Sequence, residues 1–234
     1  GLEDLVRGLV QRLPPGTLRC RHRVRRVRPV ASRRWQVVTD QGEETFDGLI
    51  IAVPAPFAAE LLRPVDTPLG EALAGIPYGA AATVNLGFSE SAVPHALDGF
   101  GFVVPSKEGL AVLGCTFAHR KYPGRAPAGH ALLRGFHGNG TAALSDADLL
   151  DATRRDLRRL LGITADPVLS AVARYPLSLP HYTVGHLERV DRIDDRVRGV
   201  PGLALAGNAY RGVGVPDCVR SGEAAADALA GMMA

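Results

Sequence analysis

A glycine-rich loop near the end of the chain is the segment whose residue types and spacing are best suited to chemistry. A short apolar strand, 202–206, runs into Gly207 and then into a loop that contains Gly212 and Gly214. Glycine adopts positive φ angles and lets a ligand lie close against the backbone. Pro216 suits the first position of the helix that follows, and the free N–H groups of a helix start attract an electron-rich group. The loop predicts a ligand contact, although a structural turn packed on a sheet would have the same pattern.

The other residues that could do chemistry do not form a recognised site. Asp217 stands where the dinucleotide fingerprint GxGxxG would have its third glycine, and that fingerprint occurs nowhere in the chain. Cys20, Cys115 and Cys218 are far apart, and the seven histidines have no metal-binding spacing. The sequence therefore predicts no metal site, no disulfide framework and no Ser-His-Asp triad, and it is compatible with a reducing cytoplasm.

Composition places the chain among ordinary globular proteins. Hydrophobic residues make up 46% and charged residues 22%, and no apolar run approaches the roughly 18–20 residues that a membrane span needs. The net charge of +3 is small, but residues 19–28 are rich in arginine. These arginines partly alternate with Val24 and Val27 and lack the interleaved aromatics of single-strand binders, so we expect a solvated strand face and no nucleic-acid partner. A contact with nucleic-acid or membrane phosphates is the alternative.

Hydrophobic periodicity predicts the elements that must position the loop. Helices are predicted over 2–13, 57–73, 145–161 and 216–233, and strands over 17–30, 34–39, 48–53, 79–88, 99–105, 110–117, 130–137, 168–175 and 202–206. The order indicates an α+β chain whose two ends pack together, residues 1–55 with 186–234, around an inserted domain of residues 56–185 that combines a mixed β-sheet with a helix.

Several spaced segments resemble one enzyme family. Residues 202–226 are similar to the second flavin-contacting motif of the oxygen-dependent protoporphyrinogen oxidases of bacterial type, members of the flavin amine oxidase superfamily. Val24–Val27 resembles the family's adenine-contacting strand, and Ile50–Pro54 resembles the strand that ends beside the cofactor. Four segments match its substrate-domain landmarks: Gly99–Pro105, Leu113–Phe117, Arg125–Pro127 and Tyr182–His186. The resemblance covers essentially the whole chain.

The chain also departs from the family pattern. The family begins with a βαβ unit that carries GxGxxG, followed by a membrane-associating helical region, and neither is found in residues 1–234. We therefore expect a fragment or processed piece that is inactive alone. Asn139 stands where a glycine is usual, His181 where a glutamine is usual, and Tyr175 where bacterial relatives often place a tryptophan near the flavin.

The resemblance implies a cofactor, a substrate and their contacts. The cofactor would be FAD, and the reaction would remove six electrons from protoporphyrinogen IX or coproporphyrinogen III in three flavin-dependent steps, with oxygen as the final acceptor, in haem biosynthesis. No catalytic side chain is implied, because the cofactor does the redox chemistry. The cofactor-binding residues implied by the family motifs are Val24, Tyr175, Val213, Gly214 and Val215, and the substrate-binding residues are Val103, Thr116 and Phe136.

Some alternatives stay open at this point. Another member of the superfamily, of flavin amine oxidase or phytoene desaturase type, would keep the flavin and change the substrate. A non-catalytic remnant is the non-enzyme alternative. We further expect a cytoplasmic protein that can form a homodimer, and the resemblance implies peripheral membrane association through the region outside residues 1–234. It also implies that the arginine binding the substrate carboxylate generally comes from that region.

Overall fold

The computed structural model describes residues 2–31 and 34–233, which divide into two compact units. The first unit combines Gly1–Tyr78 with Leu179–Ala234, and the second is Gly79–Ser178. The helices are α1 (Leu2–Val10), α2 (Ala55–Leu62), α3 (Thr67–Ala74), α4 (Ala118–Lys121), α5 (Asp146–Leu161), α6 (His186–Arg198) and α7 (Val215–Met233). The strands are β1 (Val24–Val30), β2 (Arg34–Thr39), β3 (Gly42–Phe46), β4 (Leu49–Ile51), β5 (Tyr78–Ser89), β6 (Gly101–Val103), β7 (Gly114–Phe117), β8 (His130–His137), β9 (Leu169–Pro180) and β10 (Leu203–Leu205). The expected α+β class is confirmed.

The inserted unit is shorter at both ends than the predicted domain of residues 56–185. Residues 56–78 belong to the first unit because α2 and α3 bury their apolar faces in its core, with Leu62, Leu69 and Leu73 fully buried. Residues 179–185 also belong to the first unit, where they lead into α6. The helical pattern alone could not assign α2 and α3 to either core.

The first unit contains two small sheets that share one hydrophobic core. β1, β2 and β3 form an antiparallel sheet, and β4 pairs in parallel with β10. Trp35 of β2 is fully buried in this core, and its indole N–H donates to the carbonyl oxygen of Pro201 at 3.1 Å. Residues close to the start of the chain are thereby tied to residues near its end, which confirms that the two ends pack together.

Two strands of the first unit differ from the sequence prediction. The predicted strand 17–30 begins only at Val24, and β3 was not predicted. Every residue of β3 is exposed, so Gly-Glu-Glu-Thr-Phe has no alternation of apolar and polar side chains to signal a strand. Antiparallel pairing with β2, from Trp35↔Phe46 to Thr39↔Gly42, is what makes this segment a strand.

The second unit is a five-stranded sheet in the order β6-β7-β8-β5-β9, with α5 packed on one face. Ser145 caps α5 by accepting a hydrogen bond from the N–H of Asp148 at 3.1 Å, and Gly162 ends it in the left-handed conformation. Leu149 and Leu157 of α5 lie in one core with Val84, Leu86 and Leu133 of the sheet.

Side chains on the sheet alternate between this covered face and an opposite face, which we call the open face. Along β8, Ala131, Leu133 and His137 are buried on the covered side, while His130, Arg134 and Phe136 are exposed. The register carries the same alternation to the other strands, because Phe136 pairs with Thr83 of β5 and with Gly114 of β7. The second unit therefore buries one face of its sheet in its own core, whereas the open face carries exposed side chains.

A buried histidine lies between the covered face and α5. His137 is 1% exposed, and its Nε2–H donates to Thr153 Oγ1 at 2.9 Å, because that hydroxyl itself donates to the carbonyl oxygen of Leu149 at 2.7 Å. Its Nδ1 has no partner among the described residues. Burial lowers the pKa of His137, and the nearby backbone of Ala111 and the carboxylate of Asp156 only partly oppose this.

Among the residues that the structure describes, no helix is both long enough and apolar enough to cross a lipid bilayer.

We predict that His137 makes the protein less stable in mild acid. The unfolded chain takes up a proton on this histidine below its ordinary pKa of about 6.5, whereas the folded chain resists protonation until lower pH, so the free energy of unfolding falls as the pH drops below about 6.5. His137→Gln should reduce the stability difference between about pH 7.5 and pH 5.5, measured by urea unfolding. His130→Gln, which removes an exposed imidazole from the same strand, should leave that difference unchanged. An unaltered difference in His137→Gln would contradict the assignment.

Candidate functional site

The glycine loop lies at the carboxyl edge of the parallel strand pair. Leu203–Leu205 pair with Leu49–Ile51, and the N–H of Ala206 extends the ladder by donating to the carbonyl oxygen of Ile51 at 3.0 Å. The loop after β10 and the segment after β4 therefore begin side by side. Ligands of parallel sheets bind beyond the carboxyl ends of the strands, so this edge is the expected place for a cofactor.

Two glycines let the start of α7 fold against the loop. A Cβ atom at Gly212, whose φ is +155°, would lie 2.6 Å from the Cβ of Asp217, and one at Gly214 would lie 2.8 Å from the Oδ2 of Asp217. Asp217 accepts a hydrogen bond from the N–H of Gly214 at 3.1 Å and forms an ion pair with Arg220. The glycines are thus required by the approach of Asp217, whichever ligand the loop binds.

The tip of the loop is open to solvent, and part of its backbone is free. The side chains of Val213 and Val215 are 49% and 46% exposed, and their backbone N–H groups have no acceptor among the residues described. Gly214 differs from the expectation of a free backbone, because its N–H is bound by Asp217 and its carbonyl oxygen accepts from Cys218. The tip can therefore present two donors and two apolar side chains to a flat ligand, while Gly214 offers close approach only.

A tyrosine and a histidine hold the base of the loop. The hydroxyl of Tyr182 donates to the carbonyl oxygen of Asn208 at 2.7 Å and accepts from the N–H of Gly212 at 2.9 Å. The ring of Tyr182 stacks on that of His186 at a centroid distance of 3.9 Å, and His186 Nε2–H donates to the carbonyl oxygen of Tyr210 at 2.8 Å. Burial raises the pKa of Tyr182, which keeps this hydroxyl protonated.

The contacts of Tyr182 and His186 correct one reading of the sequence. The segment Tyr182–His186 matches a substrate-domain landmark of the family, but it lies in the first unit against the glycine loop. This contact could not be predicted from the sequence, because Tyr182 and Gly212 are separated by 30 residues and neither falls in a periodic element. The motif Tyr182–His186 can be recognised in the sequence, whereas the backbone groups that the hydroxyl of Tyr182 contacts cannot.

The predicted cofactor residues of the first unit do not share one cavity. Val24 lines a concavity of about 470 Å³ with Val37, Thr39 and Phe46 on the β1-β2-β3 sheet. Gly212 lines a separate cavity of about 440 Å³ beside β10, α6 and α7. Contacts at both places would require a long ligand, as is expected for a dinucleotide whose two ends bind apart.

The predicted substrate residues all point to the open face of the second unit. Val103 pairs with Gly114, which pairs with Phe136, so Val103 and Phe136 flank a position without a side chain. Thr116 lies in the neighbouring row, between Gly101 and Arg134. Val103 is 85% exposed and Phe136 39% exposed. The register thus brings the three residues to one apolar surface.

Tyr175 also lies on the open face. Along β9, Val172 packs into the covered core, and Arg174 bonds to the carbonyl oxygens of Ala142 and Leu144 at 2.6 Å on the α5 side. Alternation places the exposed Tyr175 on the opposite side of the strand. The predicted site residues therefore fall into two groups, one in each unit.

Two titratable groups near the glycine loop and the open face are held in a fixed protonation state. Cys115 points to the covered core, where burial raises the pKa of its thiol to about 12. Arg211 is held by Asp191 and Asp194 at 2.7 Å each, and the hydrogen bond that it donates to Asp194 contributes most to raising the pKa of the guanidinium. Within residues 2–31 and 34–233, no group of three or more His, Cys, Asp or Glu side chains is placed to hold a metal ion.

Comparison with known proteins gives a consistent result. The profile of the family described as flavin-containing amine oxidoreductase matches residues 1–230. A coproporphyrinogen III oxidase of Bacillus subtilis is 33% identical over 78% of this chain and 40% of its own length, and one of Propionibacterium freudenreichii is 36% identical over 77% and 35%. A crystal structure described as a protoporphyrinogen oxidase from Exiguobacterium superposes with a TM-score of 0.86 at 32% identity, covering 98% of this chain and 51% of the other. The chain thus spans about two fifths of the length of these curated relatives, and the predicted resemblance is confirmed.

We predict that Tyr182→Phe loosens the glycine loop. The substitution removes one hydrogen bond to each of Asn208 and Gly212, and it should lower the free energy of unfolding by about 1 kcal/mol. Hydrogen exchange should accelerate at the amide of Gly212, which loses its acceptor. The matched control is Tyr122→Phe, at an exposed tyrosine of the second unit whose hydroxyl makes no hydrogen bond to the described residues. Unchanged exchange at Gly212 would show that water replaces the tyrosine without loss.

Proposed function

Since this chain belongs to the family of flavin-containing amine oxidoreductases, we propose that the protein oxidises a porphyrinogen, coproporphyrinogen III or protoporphyrinogen IX, to the porphyrin with oxygen as the electron acceptor. The observation that carries the proposal is the exposed 212–215 tip at the carboxyl edge of the parallel strands, in a chain whose similar relatives include porphyrinogen oxidases.

The family membership confirms FAD as the cofactor, and the residues present fit it. The tip offers unpaired N–H groups and exposed apolar side chains, which suit the polar edge and the flat surface of a flavin. When bound, FAD supplies the redox chemistry by taking electrons from the substrate and passing them to oxygen. We propose that Val213, Gly214 and Val215 contact its ring system, that Val24 contacts its adenine end, and that Tyr175 is a further cofactor contact.

The tasks left to the protein are orientation and electrostatics. The N–H groups of Val213 and Val215 would stabilise negative charge beside them, because they are fixed donors at a helix start. The carboxylate of Asp217 lies close behind this tip, and its ion pair with Arg220 moderates its charge. Tyr182 and His186 keep the loop in one conformation, so that the donors need no rearrangement when a ligand binds.

The open face of the second unit suits the substrate that we propose. A porphyrinogen is a broad apolar macrocycle with carboxylate side chains, and Val103, Thr116 and Phe136 form an exposed, largely apolar surface. Burying such a surface contributes roughly 25 cal/mol for each Å² removed from water. We propose these three residues as substrate contacts. Cytoplasmic location, peripheral membrane association and homodimer formation stay predictions.

We predict that Gly214→Ala weakens FAD binding. The new Cβ would lie 2.8 Å from Asp217 Oδ2, so the carboxylate or the loop tip must move. FAD affinity of the intact gene product, measured by quenching of flavin fluorescence, should fall roughly tenfold. The control is Gly231→Ala in α7, outside residues 202–226, where the added methyl group meets no atom within 4 Å, and it should leave the affinity unchanged. Equal affinities for the two variants would contradict the role of the loop.

Turnover by the intact gene product tests the proposed reaction. With coproporphyrinogen III or protoporphyrinogen IX, FAD and oxygen, we expect porphyrin fluorescence to appear together with hydrogen peroxide. Without oxygen, the flavin absorbance should bleach on addition of the porphyrinogen. Turnover of primary amines without turnover of either porphyrinogen would overturn the proposal and favour another branch of the family.

A further inference from the structure

One charged side chain lies on the open face in line with the predicted substrate residues. Arg134 of β8 pairs with Thr116 of β7 on one side and with Asn85 of β5 on the other, so the three residues form a single cross-strand row. The adjacent row contains Val103 and Phe136. Residues in neighbouring rows on one face are within reach of long side chains. Arg134 therefore borders the apolar surface that we assign to the substrate.

Arg134 is held in place but not neutralised. Its Nε donates to Asn85 Oδ1 at 2.7 Å, which fixes the direction of the guanidinium. No carboxylate among the described residues forms an ion pair with it. The two terminal nitrogens of Arg134 remain available, and a guanidinium held in this way can bind a carboxylate through two parallel hydrogen bonds.

The surroundings contain little that would compete for this charge. Among the described strand residues that alternate onto the open face, Arg134 is the one with a permanent charge, and the other titratable side chains are His130 at the beginning of β8 and Tyr175 of β9. An arginine beside exposed valine and phenylalanine, without an acidic partner, has no evident structural task. It fits a ligand that is apolar over most of its area and anionic at its rim.

We propose that Arg134, oriented by Asn85, binds a carboxylate of the macrocyclic substrate on the open face and so contributes to substrate specificity. This inference rests on the proposed function and extends it, because the sequence analysis placed the carboxylate-binding arginine outside residues 1–234. Arg134 takes no part in electron transfer. It sets where the rim of the macrocycle lies relative to Val103 and Phe136.

Matched pairs of ligand and variant test this assignment in the intact, FAD-loaded protein. The ligands are coproporphyrinogen III and its tetramethyl ester for turnover, and coproporphyrin III and its tetramethyl ester for fluorescence titration. The variants are Arg134→Gln, Arg134→Lys and Asn85→Leu. The control is Arg159→Gln, which removes the same charge from an exposed position on α5, outside the sheet.

We expect Arg134→Gln to raise KM for the free acid and Kd for coproporphyrin III roughly tenfold, with kcat changed less than about twofold. Values for the tetramethyl esters should change less than about twofold, because the ester offers no anionic oxygen. Arg134→Lys should recover part of the affinity for the acids, and Asn85→Leu should lose part of it. Arg159→Gln should behave as the wild type does.

The remaining outcomes overturn the inference, and they separate it from the proposed function. An equal loss for acid and ester in Arg134→Gln would mean a structural role, and no loss for the acid would mean that Arg134 does not meet the carboxylate. If the wild type turns over neither porphyrinogen, the proposed function falls, and the titration decides the inference by itself. Binding of coproporphyrin III that depends on Arg134 would then still support the role of Arg134. Wild-type binding without preference for the free acid would overturn that role.

Discussion

The parallel pairing of β4 with β10 is the constraint on which the candidate cofactor site depends. Three residues of each strand are paired, and they join segments that are more than 150 residues apart in the chain. Such a short ladder cannot form by itself, so it depends on the common core of the first unit, in which Trp35, Leu62 and Leu203 are buried together. That core therefore fixes the place where the segment after β4 and the glycine loop emerge.

Local signals in the sequence were sufficient for most of the fold. The helix α5 follows from its Ser145 cap, its periodic leucines and Gly162, and all three act within the segment itself. β3 could not be predicted, because its residues are exposed and only pairing with β2 makes it a strand. The extent of the inserted unit was also beyond the sequence, since the apolar faces of α2 and α3 would suit either core.

The candidate site, too, was predictable only where residue types within one segment indicate it. The glycine loop was found from its residue types, and the structure adds that Gly212 and Gly214 make room for Asp217, a contact within the loop that no ligand argument implied. The contacts of Tyr182 and His186 with the loop were not predictable, because they join segments that are distant in sequence through backbone acceptors and donors. Arg134 was not singled out from the sequence, since its place on the open face depends on strand register and not on any motif.

The glycines of the open face restrict how that surface could diversify. Gly114 lies between Val103 and Phe136, and a Cβ atom there would come within 2.7 Å of the carbonyl oxygen of Phe102. Gly101 faces Thr116, and a Cβ atom there would lie 2.9 Å from the Cα of Thr116. Neither position accepts a side chain without moving the backbone, so the middle of the surface stays shallow. Evolutionary tuning for ligands of different bulk would have to proceed at its margins, at positions such as Val103 and Phe136 that already carry exposed side chains.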